Sequence, residues 1–197
     1  LLSACVDGWF TLPLAIPNYL AGLAGQPLLD VDAPEATEAL GDVRGRIDHL
    51  VNNPGHTRPA TFHRRLGEIL YTGCGVSRSE AGLTRALEQV QELREEFWRD
   101  VRVTGTDDRL NQELEKAGRV ADFLELAELM ITDALDRQES CGAHFREEYA
   151  LPDGEAKRDD KRWCNVSAWE TNPAGQHRRY QEPLRFESVK LQVRNYR

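Results

Sequence analysis

Between Asp108 and Ser140 apolar residues return every three to four positions, at Leu110, Leu114, Ala117, Ala121, Leu124, Ile131 and Leu135. That is the repeat of one helix face. A second row, Val120, Phe123, Ala127, Met130 and Ala134, runs beside it and leaves Glu113, Lys116, Arg119, Asp122, Glu125 and Asp133 to face water. A helix apolar over so much of its circumference needs neighbours on two sides, so it is expected to be the central member of a bundle.

The same periodicity predicts the neighbours. Pro59 fits the first turn of a helix carrying Phe62, Leu66, Ile69 and Leu70 inward, ended by Thr72-Gly73-Cys74-Gly75. Ser77-Arg78-Ser79-Glu80 reads as a capping box on Ser77, opening a helix with Leu83, Leu87, Val90, Phe97 and Val101 on one face, to about Val103. Together with the long helix this predicts an antiparallel three-helix bundle. In front of it, Ala36, Leu40, Val43, Ile47 and Leu50 mark a surface helix over residues 35–51.

Upstream of a Gly, Pro and Asp-rich linker at residues 22–34, the segment up to Leu23 is apolar on nearly every face and reads as two short helices broken at Pro13 and Pro17. It should pack against something outside this sequence. It starts with Leu1-Leu2 as though in mid-helix, without initiating Met or N-cap. The expectation is a chain cut from a longer one. After Tyr149 the pattern changes: a polar loop, then alternation over residues 163–169, a turn at residues 171–175, and a last strand at Leu184, Phe186, Val189, Leu191 and Val193 with a bulge near Ser188. The expected fold class is mainly α, a three-helix bundle with preceding helices and a small C-terminal β extension.

The 197 residues carry a formal net charge of -8, which argues against nucleic acid as a partner, because phosphate contacts need clustered Lys and Arg. No run of about 18 apolar residues is present to span a bilayer. The four cysteines lie far apart, without C-x-x-C or metal-ligand spacing, so neither a zinc nor an iron-sulfur site is expected from this chain; reduced thiols in a cytoplasmic compartment are.

The end of the long helix carries Arg137-Gln138-Glu139-Ser140-Cys141-Gly142-Ala143-His144-Phe145-Arg146-Glu147-Glu148-Tyr149. This resembles the Arg-x-Glu-Ser-x-Gly-x-His-x-Arg segment of flavoprotein subunits of succinate dehydrogenase and fumarate reductase. The downstream Asp159-Asp160 pair and the Gly75-Val76-Ser77-Arg78 turn between two helices fit the same family, and the order of elements matches over most of the chain. In the mitochondrial-type branch Arg follows Glu-Ser. Cys141 in that place resembles the other branch, the fumarate reductase-like succinate dehydrogenases of several bacterial groups.

The resemblance implies three parts: residues 1–25 as the end of a flavin-binding domain, 26–150 as the helical bundle and 151–197 as the loop and strand extension. It implies that Leu1 and Leu2 stand at a helix N-terminus facing the flavin, with FAD held mostly by a domain outside this chain. It also implies a dicarboxylate substrate bound by that domain, an iron-sulfur subunit and a membrane anchor subunit as partners, and peripheral attachment to the cytoplasmic face of the bacterial plasma membrane. Two alternatives are open: the C-terminal domain of an L-aspartate oxidase, which shares a similar Glu-Ser-x-Gly-x-His segment, and a non-enzymatic helical interaction module.

No complete active site is expected here. His56 and His63 are seven apart and do not share a helix face if the helix begins at Pro59; His49 and His177 read as solvated. Ser140 and His144 invite a nucleophile-base reading, yet no strand-to-helix turn presents the serine. Arg137, Glu139, His144 and Arg146 are expected to form a charge and hydrogen-bond network that pins the last turn of the long helix. No glycine-rich nucleotide loop is present.

Overall fold

The computed structural model describes residues 5–27, 30–106, 108–172, 175–188 and 190–192. They fall into two units, residues 1–45 and 46–197. In the first unit, helix α1 (Leu12–Ala21) continues a π-helical turn, Asp7–Thr11, without interruption. The expected breaks at Pro13 and Pro17 do not form. Pro13 directly follows the π-helical turn and Pro17 is carried inside the helix. Trp9, Phe10, Leu14 and Tyr19 are all exposed. Helix α2 (Pro34–Asn52) begins in this unit and ends in the second.

The second unit is built on three helices: α3 (Pro59–Gly73), α4 (Glu80–Asp100) and α5 (Gln112–Asp136). Each touches the other two. Leu83, Ala86, Val90, Leu93 and Phe97 of α4 are buried at alternating steps of three and four, the seam of a left-handed packing. Ala117, Ala121, Ala127 and Ala134 interleave with Val120, Leu124 and Ile131 on α5, letting the helices approach closely. Phe62 of α3 meets Phe97 edge to face, with ring centroids 5.2 Å apart. From the end of α2, Leu50 joins this core, and Arg46 bonds Asp122 at 2.9 Å.

Two sequence expectations shift. Helix α5 starts at Gln112, because the Asn111 side chain takes the amides of Glu113 and Leu114, a stronger N-cap than Asp108 could make so far upstream. Leu110 therefore lies outside the helix and exposed, and Phe123 and Met130 on the second row are also partly exposed. The cap of α4 is Ser79, whose hydroxyl accepts from the Gly82 amide at 3.2 Å. Ser77 is instead drawn into strand β1 (Ser77–Arg78), which pairs in parallel with β2 (Phe145–Arg146). Extended backbone there carries the chain straight to the cap.

The loop before α3 is held by close backbone approach. The amides of His56 and Thr57 both donate to the Asp100 carbonyl at 3.0 Å, and a Cβ on Gly55 would sit inside that carbonyl.

Beyond β2 come a 3-10 turn (Glu147–Tyr149), the short helix α6 (Asp160–Trp163) and an antiparallel hairpin of β3 (Asn165–Thr171) and β4 (His177–Pro183). Among the described residues the last strand thus lies upstream of the expected Leu184–Val193 stretch, of which Val189 and Val193 lie outside the described residues. Turn chemistry decides this: Asn172 accepts the Gln176 amide at 2.9 Å, and Thr171 is set opposite His177. The hairpin rests on α5, with the Trp169 indole donating to Asp133 at 2.7 Å and Arg179 bound to Asp136. No described helix is long and apolar enough to cross a membrane.

Candidate functional site

Helix α5 ends at Asp136, and Arg137 leaves it with extended backbone. The last carbonyls of any helix lack intrahelical donors. Here the Arg146 guanidinium supplies them, donating to the Ala134 carbonyl at 2.9 Å and that of Leu135 at 3.2 Å. A cation placed there also complements the negative end of the helix dipole. Arg146 is 1% exposed. Its charge is met by Glu148 at 3.0 Å, and its guanidinium stacks 5.5 Å from the Tyr149 ring centroid.

Ten residues of chain loop back to bring Arg146 there. Glu139, 2% exposed, accepts from Arg137 Nε at 3.0 Å on one oxygen and from the Asp159 amide at 2.8 Å on the other. Cys141 and His144 exchange backbone hydrogen bonds of 2.8 and 3.1 Å around a tight turn. Gly142 takes a φ of +60° in that turn, a conformation open to glycine at no steric cost. Ser140 is fully buried; its hydroxyl receives the Arg146 amide at 2.8 Å and donates to the Arg146 carbonyl at 3.1 Å, while its own amide donates to the Lys157 carbonyl at 3.0 Å.

His144 is half-buried and engages both ring nitrogens, with Arg78 Nη1 at 3.0 Å from Nδ1 and the Arg137 carbonyl at 3.1 Å from Nε2. Burial pushes its pKa below the ordinary histidine value; the Arg137 carbonyl works the other way, and the nearby charges of Arg78, Arg137 and Arg146 depress it further. Ser77 Oγ donates to Glu147 at 2.8 Å, and the first amide of α4, that of Glu80, donates to Glu148 at 2.7 Å. Glu148 would be raised by burial, but that amide and Arg146 hold it below the usual carboxylate range.

The expected network of Arg137, Glu139, His144 and Arg146 is therefore a single cluster, and its chemistry is cohesive. Ser140 and His144 do not meet as nucleophile and base, since every bond of each goes elsewhere. His56 faces Asp100 and His63 stacks on Phe123; among the described residues no group of three or more His, Cys, Asp or Glu could hold a metal. His49 and His177, expected in solvent, bond the Trp98 carbonyl and the Thr171 hydroxyl, each at 2.9 Å.

Leu1 and Leu2, the residues the resemblance assigns to the flavin, lie outside the described residues. Among those described, the N-terminus of α4 follows a strand, as a nucleotide site would need, but the Glu148 carboxylate occupies it. These residues do not by themselves fit a dinucleotide.

Sequence reasoning missed Arg78, Ser77 and Glu148 as members of the cluster. Their partners lie roughly 70 residues away, and only the Gly75-Val76-Ser77-Arg78 turn hinted at them. It also missed Glu128, buried between α4 and α5 and bound by Gln91 at 2.9 Å and by Arg94.

The stretch that builds this cluster lies within residues 63–196, which match the family described as fumarate reductase flavoprotein C-term. The chain belongs to this family. It is similar to the fumarate reductase flavoprotein subunit of Proteus vulgaris, 29% identical over 150 residues, which cover 76% of this chain and 23% of that protein. It is also similar to that of Escherichia coli K12, 34% identical over 118 residues, covering 60% of this chain and 19% of that one. Among solved structures, a point mutant of E. coli quinol fumarate reductase superposes with a TM-score of 0.70 at 27% identity, over 85% of this chain and 27% of that one. The chain thus spans about a quarter of the length of the relatives it matches. Those relatives are oxidoreductase flavoprotein subunits.

Proposed function

We propose that this chain is the C-terminal helical domain of a fumarate reductase-type succinate dehydrogenase flavoprotein subunit, with residues 1–25 completing the flavin domain, 26–150 forming the bundle and 151–197 the strand extension. The observation that carries the reading is the buried Glu139-Ser140-Arg146 cluster: the segment that resembles the family is the segment that closes α5. Its role is to brace. The bundle supports the flavin domain and offers surface to an iron-sulfur subunit, which hands on to a membrane anchor subunit at the cytoplasmic face of the membrane.

FAD would be held mostly by polypeptide outside this chain, with Leu1 and Leu2 lending a helix N-terminus to its ring. When bound, FAD supplies the hydride acceptor for oxidation of succinate to fumarate and passes electrons on towards quinone. This chain's own residues contribute no reacting group in this account. The exposed apolar side chains of Trp9, Phe10, Leu14 and Tyr19 favour this reading over a free-standing interaction module.

The test is to isolate the protein from its native cells by an affinity tag on its gene, and assay succinate and L-aspartate oxidation with an artificial electron acceptor. Succinate oxidation with iron-sulfur protein in the preparation is expected. Oxidation of L-aspartate instead would replace the reading with an L-aspartate oxidase, and neither activity in a flavin-free 22.3 kDa protein would overturn it.

A further inference from the structure

The charges around the paired β1 and β2 strands match off, with one exception. Arg137 has Glu139; Arg146 has Glu148 and, at 3.9 Å, Glu80. Arg78 forms no ion pair among the described residues. Its Nε donates to the Gly75 carbonyl at 2.7 Å and its Nη1 faces His144 Nδ1 at 3.0 Å. A guanidinium has only donors, so Nδ1 must be the bare acceptor. The proton of the neutral ring then sits on Nε2 and goes to the Arg137 carbonyl. The two partners fix both the tautomer and the neutral state.

We infer that the Arg78–His144 contact is an acid-released latch: a proton taken from solvent by Nδ1 turns the acceptor into a donor facing an uncompensated arginine, and uncouples β1 from the 141–146 turn. The groups around it reinforce this. Arg78 comes from β1, Arg137 from the end of α5 and Arg146 from β2, all positive. The carboxylates in the cluster are already engaged: Glu139 by Arg137, Glu148 by Arg146, Glu147 by Ser77, and Glu80 beside Arg146. From the end of α3, the Cys74 thiol is pushed up by burial and stays neutral. No carboxylate bonded to His144 offsets a new positive charge there.

The sign follows from linkage. A histidine whose closed-state pKa is depressed binds the proton more readily when the latch is open, so the latch is fully closed above the ordinary value of about 6.5 and weakens as pH falls. Each unit below that favours opening about tenfold, until the depressed pKa is reached. Opening would loosen the β1–β2 pairing while leaving the α4–α5 core, with Val90, Phe97 and Leu124 fully buried, untouched. The inference concerns this chain's own junction and does not depend on the proposed function.

Hydrogen exchange followed by mass spectrometry, on the full-length protein from pH 7.5 to 5 and corrected for intrinsic exchange, tests it. Segments 76–80 and 141–149 are expected to open about tenfold more per unit below pH 6.5, while segment 83–97 holds its protection. In His144→Gln that pH dependence should vanish, and in Arg78→Met, where burial, Arg137 and Arg146 still depress the ring, its total amplitude between pH 6.5 and 5 should shrink, at whatever level of protection each variant sets. A flat profile in the parent protein overturns the latch. So does the parent's full amplitude persisting in either variant.

Discussion

Ser140 and Arg146 hold each other twice through one hydroxyl: the Arg146 amide donates to Ser140 Oγ at 2.8 Å and that oxygen donates to the Arg146 carbonyl at 3.1 Å. This closes the loop of seven residues from Ser140 to Arg146 and delivers the guanidinium to the end of α5. Removing the hydroxyl strands a buried amide. Ser140→Ala is expected to cost about 1–3 kcal/mol, read as a lower urea midpoint with unchanged slope; a change within about 0.5 kcal/mol would show that the loop is held by something else.

Arg146 serves two α5 carbonyls and Glu148 from a site that is 1% exposed. Arg146→Met leaves the two carbonyls without this donor and the partly exposed Glu148 with only the Glu80 amide, and should cost about 1–3 kcal/mol, the range for stranding a buried polar group. Arg146→Lys keeps the charge but not the fork, so its stability should fall between the two. Equal stability of the lysine variant and the parent would mean that charge alone matters.

Gly55 lies against the Asp100 backbone so closely that a methyl group cannot be accommodated. Gly55→Ala must displace the loop and lose the His56 and Thr57 amide bonds to Asp100. A loss of about 1–3 kcal/mol is expected from thermal unfolding, with faster exchange at those two amides. Unchanged exchange there would contradict the close approach.

Glu148 has its pKa held down by the Glu80 amide and Arg146 against the opposing effect of burial. Its stabilising contribution is present above the ordinary value of 4.5 and is lost as pH falls through the lower folded value. Glu148→Gln should therefore flatten the stability profile below about pH 4.5, measured by denaturant midpoints at stepped pH. An unaltered profile would remove Glu148 from the account of acid sensitivity.

The bundle was legible because α5 and α4 repeat their apolar residues at helical spacing and no tertiary contact had to be known. The Arg137–Arg146 segment was legible as a unit because its partners are neighbours in sequence. What failed had long-range or competing causes. Ser77 and Ser79 both suit a cap, and only the pairing of β1 with β2 decides between them. Strand β4, His177-Arg178-Arg179-Tyr180-Gln181-Glu182-Pro183, has no apolar alternation to reveal it; it is set by the Asn172 turn and by Arg179 reaching Asp136. Glu128 on α5 reads as a solvated charge until Arg94 and Gln91 of α4 are brought beside it.

The most direct test of the central claim is an intact mass and a visible spectrum on one sample of the native protein, recorded before and after succinate. A mass well above the 22.3 kDa of this chain, with a flavin band that succinate bleaches and L-aspartate does not, is the result the account predicts. A colourless protein of 22.3 kDa, or a flavin bleached by L-aspartate alone, would contradict it.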